Sequence, residues 1–275
     1  MPASTAALRA FLDRAPALAI VEVTEALGST PREQGAWMLV APDAIFGTIG
    51  GGQLEFMAID KAREMLAAGP SQGREGAPLT LSIPLGPEIG QCCGGRVGLS
   101  IGPVDAAKRQ ALLEKAEGED AALPQVLIFG GGHVGRALAA ALALLPVRAV
   151  VIETRADALE AMPDAVETRL TAVPEEFVRE APAGAAYVVL THDHALDFLI
   201  VAEALKRTDA AYVGMIGSQT KRATFASWYL KTAGGSEHDL ARLVSPIGGD
   251  AVHDKRPAVI AALAAAEILT ALSKA

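Results

Sequence analysis

Cysteine is almost missing from this chain of 275 residues: only two occur, and they are neighbours, Cys92 and Cys93. Adjacent cysteines are poorly placed to bridge one another and no third is available, so a disulfide framework is excluded. The thiols are expected to be kept for chemistry in a reducing compartment, the cytoplasm. Basic runs are also missing. With a net charge of −8 and a pI near 5.2, the chain lacks the cationic face that phosphate neutralisation along nucleic acid requires, so no nucleic-acid partner is expected. Long apolar runs are absent as well. The stretch 137–147 is too short to span a bilayer and Glu267 interrupts 258–272, so no membrane association is expected. Residues 1–14 carry Asp13 and two arginines with no apolar segment before a cleavage site, which does not read as a signal peptide.

What is present is apolar material: 51% of residues are hydrophobic and 20% charged. That is enough for a full core, and the length suits two domains better than one. The charged, alanine-rich stretch 105–120, closed by Leu123-Pro124, reads as a linker helix. The expected division is an N-terminal domain at 1–104, a linker at 105–124 and a second domain at 125–275. Downstream of the linker, apolar strands at 125–129, 147–152, 165–171, 185–190, 211–216 and 244–247 alternate with helices at 134–145, 196–206, 219–231 and 257–273. This alternation predicts α/β architecture, a Rossmann-like doubly wound parallel sheet covered on both faces. Upstream, strands at 17–24, 35–40, 44–47 and 96–101 with a helix at 53–68 predict an N-terminal α+β domain rich in glycine loops.

Gly130-Gly131-Gly132-His133-Val134-Gly135 follows a clean strand and opens a helix. Such a turn lets backbone approach a phosphate at the helix N-terminus. Glu153 ends the second strand 18 residues beyond Gly135, where a dinucleotide domain places its ribose-diol acceptor. Cations gather at the same predicted edge: His133 and Arg136, Arg155, His192 and His194, then Lys221 and Arg222. Positive side chains in the first turn of a helix oppose its dipole, so their recurrence points to an anion that offsets the opposition. Thr191-His192-Asp193-His194 with Asp197 could hold a metal, but histidines two apart share a face only on a continuing strand. A turn held by Asp193 is the simpler expectation.

Gln91-Cys92-Cys93-Gly94-Gly95 places both thiols in a glycine-flanked loop. Neighbouring cysteines do not share one tetrahedral zinc easily, whereas soft thiolates suit molybdenum, copper or a transferable sulfur atom. Ser29, Thr30 and Arg32 are phosphate-type donors, and Gly47 to Gly52, including Gly51 and Gly52, permit close approach of a bulky ligand. Beside the cysteine loop these segments read as walls of one site.

Together the segments Gly28–Arg32, Gly47–Gly52 with Leu54-Glu55, Gly90–Gly95, Ile128–Gly135, Thr191–His194 with Asp197, Gly214–Ser218 with Lys221-Arg222, and Ser245–Gly248 resemble the XdhC/CoxI family. These are accessory proteins of molybdenum hydroxylases such as xanthine dehydrogenase. The sequence departs from the family pattern at 249–257, where a charged stretch follows Pro246-Ile247-Gly248. The resemblance implies a chaperone for the molybdenum cofactor (Mo-molybdopterin), not a turnover enzyme. It would stabilise the cofactor, support its sulfuration and insert it into apo-xanthine dehydrogenase. The implied partners are the molybdenum-binding subunit and an L-cysteine desulfurase, and a homodimer is expected. Cys93, with Cys92 as second choice, would meet the molybdenum or pass the sulfur. Arg32, Gly51, Gly52, Gln91, Gly130, Gly132, His133, Gly135, Glu153, Lys221 and Arg222 would complete the binding set. The competing reading is an NAD(P)-dependent oxidoreductase using the Rossmann-like half, which leaves the cysteine loop without a role.

Overall fold

A computed structural model describes residues 5–69, 78–86, 94–249 and 251–274. The chain divides into two compact units, 1–121 and 122–275.

In the first unit, helix α1 (Thr5–Arg14) precedes strands β1 (Ala19–Leu27), β2 (Trp37–Val40) and β3 (Ile45–Gly47). Helix α2 (Gly52–Ala68), strands β4 (Leu79–Pro84) and β5 (Arg96–Pro103), and helix α3 (Ala106–Ala121) follow. Among the described residues the sheet order is β3-β2-β1-β5-β4, antiparallel throughout. Alternation along β1 explains the layering. Ala19, Val21 and Val23 pack with Leu54, Ala58 and Ala62 of α2, whereas Ile20 turns to the opposite face with Leu8, Phe11 and Leu12 of α1 and Leu112 of α3. The helix anticipated as a linker is thus fastened to the first unit. Arg109 on α3 donates to the carbonyls of Leu12, Ala15 and Pro16 at 2.6–3.1 Å, and Thr5 on α1 bonds Asp120 at 2.5 Å.

The second unit is the α/β domain anticipated. Strands β6 (Gln125–Phe129), β7 (Arg148–Glu153), β8 (Glu167–Leu170), β9 (Ala186–Val189), β10 (Tyr212–Met215) and β11 (Leu243–Val244) form one parallel sheet, order β11-β10-β9-β6-β7-β8. Helices α4 (His133–Leu142) and α9 (Pro257–Leu272) cover one face. Helices α5 (Glu175–Glu180), α6 (His194–Lys206), α7 (Gln219–Lys231) and α8 (Glu237–Leu240) cover the other. Every central strand is buried on both sides, as in Ala186–Val189 and Tyr212–Met215, which is why these runs carry no polar alternation. The order reverses between β6 and β9, and in doubly wound sheets ligands lie at such a switch point, beyond the carboxyl ends of the strands. Among the described residues no helix is long and apolar enough to cross a membrane.

Candidate functional site

The glycine turn joins β6 to α4 at that switch point. A Cβ on Gly130 would lie 2.4 Å from the Leu190 carbonyl oxygen, one on Gly131 2.7 Å from that of Ala158, and one on Gly135 2.0 Å from that of Gly130. These three glycines are therefore required by the fold itself. Gly132 is different: its φ of −66° suits any residue, and a Cβ there would meet nothing within 4 Å. It caps α4 with no side-chain acceptor for the first-turn amides, which leaves those donors without a side-chain partner.

Glu153 sits beneath this turn, only 3% exposed. Its Oε2 accepts the Gly131 amide at 2.8 Å and Arg155 Nη2 at 3.3 Å. Its Oε1 accepts the Thr154 amide and hydroxyl at 2.8 and 3.2 Å, and the Arg155 amide and Nε at 3.1 and 3.4 Å. Burial pushes this carboxyl up, but the Gly131 amide, Arg155 and the Thr154 amide outweigh it and hold the pKa at about 2. The sequence pointed to Glu153 as a ribose acceptor. Its lone pairs are instead filled by its own chain, because β7 ends close enough to the turn for one carboxylate to tie both. The folded-state pKa lies below the unfolded value of about 4.3, so the stabilisation is complete above the unfolded pKa and is lost as pH falls toward 2. Glu153→Gln is expected to cost on the order of 3 kcal/mol at pH 7, with a smaller penalty near pH 3. Urea unfolding at the two pH values measures this, and an equal penalty at both would contradict the assignment.

Lys221 also departs from expectation. Anticipated as a rim cation, it is buried: its ammonium pairs with Asp197, which has no exposed surface, and donates to the Ile216 carbonyl at 3.0 Å. The other Asp197 oxygen accepts the amide and hydroxyl of Thr191 at 2.9 and 2.7 Å. A Cβ on Gly217 would stand 2.6 Å from Lys221 Cδ, so the glycine gives the lysine stem its path inward. This chain of contacts ties the loop after β9 to the loop after β10. The sequence held no signal for the pairing, since Asp197 and Lys221 lie on different helices.

The rest of the rim lies where the sequence put it. His133, Arg136, His192, His194 and Arg222 are exposed. Asp193 caps α6 by accepting the Ala195 and Leu196 amides at 2.8 and 3.4 Å. With Asp193 and Asp197 both engaged, the histidines stand without carboxylate company, and no metal-type cluster of three or more such residues occurs among the described residues.

In the first unit the glycine loops converge on residues 28–32. A Cβ on Gly50 would meet Pro31 at 2.6 Å and Arg32 Cγ at 3.4 Å, and one on Gly95 would meet the Ser29 carbonyl oxygen at 2.3 Å. Gly94 bridges to Ser29. The loop at 47–52 is organised from within: Glu55 accepts the Thr48 hydroxyl at 2.5 Å and the Ile49 and Gly51 amides at 3.0 and 3.1 Å. The Gly51 amide is thereby engaged, Gly52 is exposed, and Arg32, half-buried, has Glu33 at 4.0 Å as its ionic neighbour among the described residues. Gln91, Cys92 and Cys93 lie outside the described residues. The strand ends that flank their segment are joined by Leu85 and Gly94–Gly95 at 2.8–2.9 Å.

Residues 126–268, more than half of the chain, match the profile of the XdhC Rossmann domain, and residues 12–76 match that of the XdhC and CoxI family. The chain belongs to the XdhC/CoxI family. The cysteine loop lies between the two matched segments. The uncharacterised protein YqeB of Escherichia coli K12 is 26% identical over 268 residues, 91% of this chain. The chain spans only 43% of that relative's length. A Bacillus halodurans structure described as a xanthine dehydrogenase superposes with a TM-score of 0.78 at 18% identity, over 98% of this chain and 96% of the other. That likeness shows a shared fold. The XdhC/CoxI assignment therefore rests on the profile matches, and the Rossmann portion is the segment that carries the open Gly132 turn.

Proposed function

We propose that this XdhC/CoxI protein serves xanthine dehydrogenase maturation as a chaperone of the molybdenum cofactor, holding it, supporting its sulfuration and inserting it into the apo-enzyme without turnover of its own. The observation that carries the reading is the open Gly132 turn at a sheet edge whose exposed cations have no partner among the described residues, on an otherwise acidic chain. The cofactor ends in a phosphate, and uncapped first-turn amides with Arg136, Arg222 and His133 nearby form a donor set of the right chemistry. The group supplies molybdenum and its terminal sulfur to the hydroxylase. This chain's part is to fix the phosphate, exclude competing anions and present a thiolate. Cys93, with Cys92 as alternate, is assigned to the molybdenum or the sulfur, since soft metals favour thiolate. Arg32, Gly52 and Gln91 are assigned to the walls around that thiolate. The molybdenum-binding subunit of the dehydrogenase and an L-cysteine desulfurase are the proposed partners, and the working form a homodimer.

The test is pterin retention. Protein incubated with molybdenum cofactor and desalted is expected to release fluorescent oxidised pterin near one equivalent, and Cys93→Ala at least about tenfold less, as for loss of a strong contact. Equal release from both would leave the thiol without a binding role, and none from wild type would end the reading. The oxidoreductase reading keeps the strand order and the turn in its favour, but it loses Glu153 as its diol acceptor.

A further inference from the structure

The carboxyl edge of the second unit is not electrostatically uniform, and the unevenness locates the anion. On the β7 side, Arg155 is engaged by Glu153 through both Nε and Nη2, and Asp157 also acts on it electrostatically. Two carboxylates thus face one guanidinium there, and the Gly131 amide is already taken by Glu153. On the side of β9 and β10 the balance reverses. Asp197 is neutralised internally by Lys221, Asp193 is spent on capping α6, and Arg136, Arg222 and the imidazoles of His133, His192 and His194 are exposed with no partner among the described residues. Elsewhere in the unit Arg148, Arg169, Arg179, Lys206, Arg207, Arg242 and Arg256 all sit within 4.0 Å of an acidic oxygen. Lys231, Lys255 and Lys274 also lack an acidic partner among the described residues; what sets Arg136 and Arg222 apart is that they stand, unpaired, in the first turns of α4 and α7, where a cation opposes the helix dipole.

We infer that the anion bound by this unit lies over β6, β9 and β10, held by Arg222 and His194 with the open turn at Gly132, and that the β6–β7 half is closed. In a dinucleotide-binding sheet the closed half is where the adenosine ribose would lie. A diol needs a free acceptor, and Glu153 has none to give. The ligand class that fits is a phosphate or pyrophosphate group without an adenosine. The inference refines the cofactor reading above but does not depend on molybdenum, so it is tested without it.

The experiment is ligand-induced stabilisation of the intact protein, followed by thermal unfolding of wild type, Arg222→Ala with His194→Ala, Arg155→Ala and Arg155→Lys. Each variant's shift is taken from its own midpoint, so a variant that is merely less stable remains informative. Inorganic pyrophosphate at ten times its dissociation constant is expected to raise the wild-type midpoint by about 3 °C. The same rise is expected in both Arg155 variants, and it should vanish in the Arg222/His194 variant. NAD+ and NADP+ are expected to give no shift at 1 mM, about the weakest affinity such a site would show. Stabilisation by either nucleotide, loss of the pyrophosphate shift on changing Arg155, or no anion effect in wild type would each overturn the inference. Failure of pterin retention alone, with the pyrophosphate and nucleotide results as expected, would instead remove the cofactor reading and leave the anion site in place.

Discussion

Lys221→Met is expected to destabilise the second unit by about 3–5 kcal/mol, because it strands the Asp197 carboxylate in an interior from which water is excluded. Asp197→Leu alone should cost a comparable amount by leaving the ammonium with one carbonyl at 3.0 Å. The double variant is expected to recover most of the loss, since a buried pair replaced by apolar side chains of similar volume is near neutral. The measurement is urea unfolding followed by tryptophan emission. Trp228 packs against Phe198 and Phe225 in the second unit and Trp37 against Phe46 in the first. A Trp37→Phe background therefore makes the signal specific to the second unit. A single-variant penalty under about 0.5 kcal/mol, the range of ordinary surface changes, would show that the pair is not the buried tie described. The double variant carries a functional expectation too. Stability would return, but the Thr191 amide and hydroxyl would lose Asp197 as acceptor and the loops bearing His192, His194 and Arg222 their common anchor. Anion affinity should then fall even where the fold is intact.

How much of this could be read from the sequence depends on whether a neighbour in space was also a neighbour in the chain. The parallel sheet was legible because β6, β7, β9 and β10 are buried on both faces and carry continuous apolar runs. The turn and its helix were legible as a local motif. Strand β4 was not. It is an edge strand of the first sheet, its residues Leu79–Pro84 are mostly exposed, and it ends in proline, so it has neither a run nor a clean alternation. The rim was read at the resolution of a helical turn, which is too coarse. Lys221 and Arg222 are adjacent, yet about 100° of rotation per residue sends one inward to Asp197 and the other to solvent. Only the path left by Gly217 decides which. Glu153 and Glu55 share a single lesson. Glu55 lies four residues from the Gly51 amide it accepts and Glu153 twenty-two from that of Gly131, yet in neither case does the sequence say that the carboxylate fills its loop's amides from inside.

The same reasoning makes the four glycines of the turn unequal, and substitution separates them. Gly135→Ala places a methyl 2.0 Å from the Gly130 carbonyl oxygen, a backbone atom that cannot give way without moving β6 or α4. A loss of about 3 kcal/mol, the upper part of the usual overpacking range, is expected in urea unfolding. Gly130→Ala should behave alike, since its φ of 121° adds strain to a 2.4 Å contact. Gly132→Ala meets nothing and needs no unusual backbone angle, and the entropy it removes from the unfolded chain opposes the poorer N-cap, so its stability should stay within about 1 kcal/mol of wild type. Yet the methyl would add bulk at the turn through which the inferred anion approaches α4. Pyrophosphate stabilisation and pterin retention are both expected to drop at least about tenfold in this variant, as for loss of about 1.4 kcal/mol or more of binding. A residue that the fold tolerates but the ligand does not would mark Gly132 as the point of approach. If Gly132→Ala keeps both responses, the anion enters elsewhere along the β9–β10 edge, and the turn is packing alone.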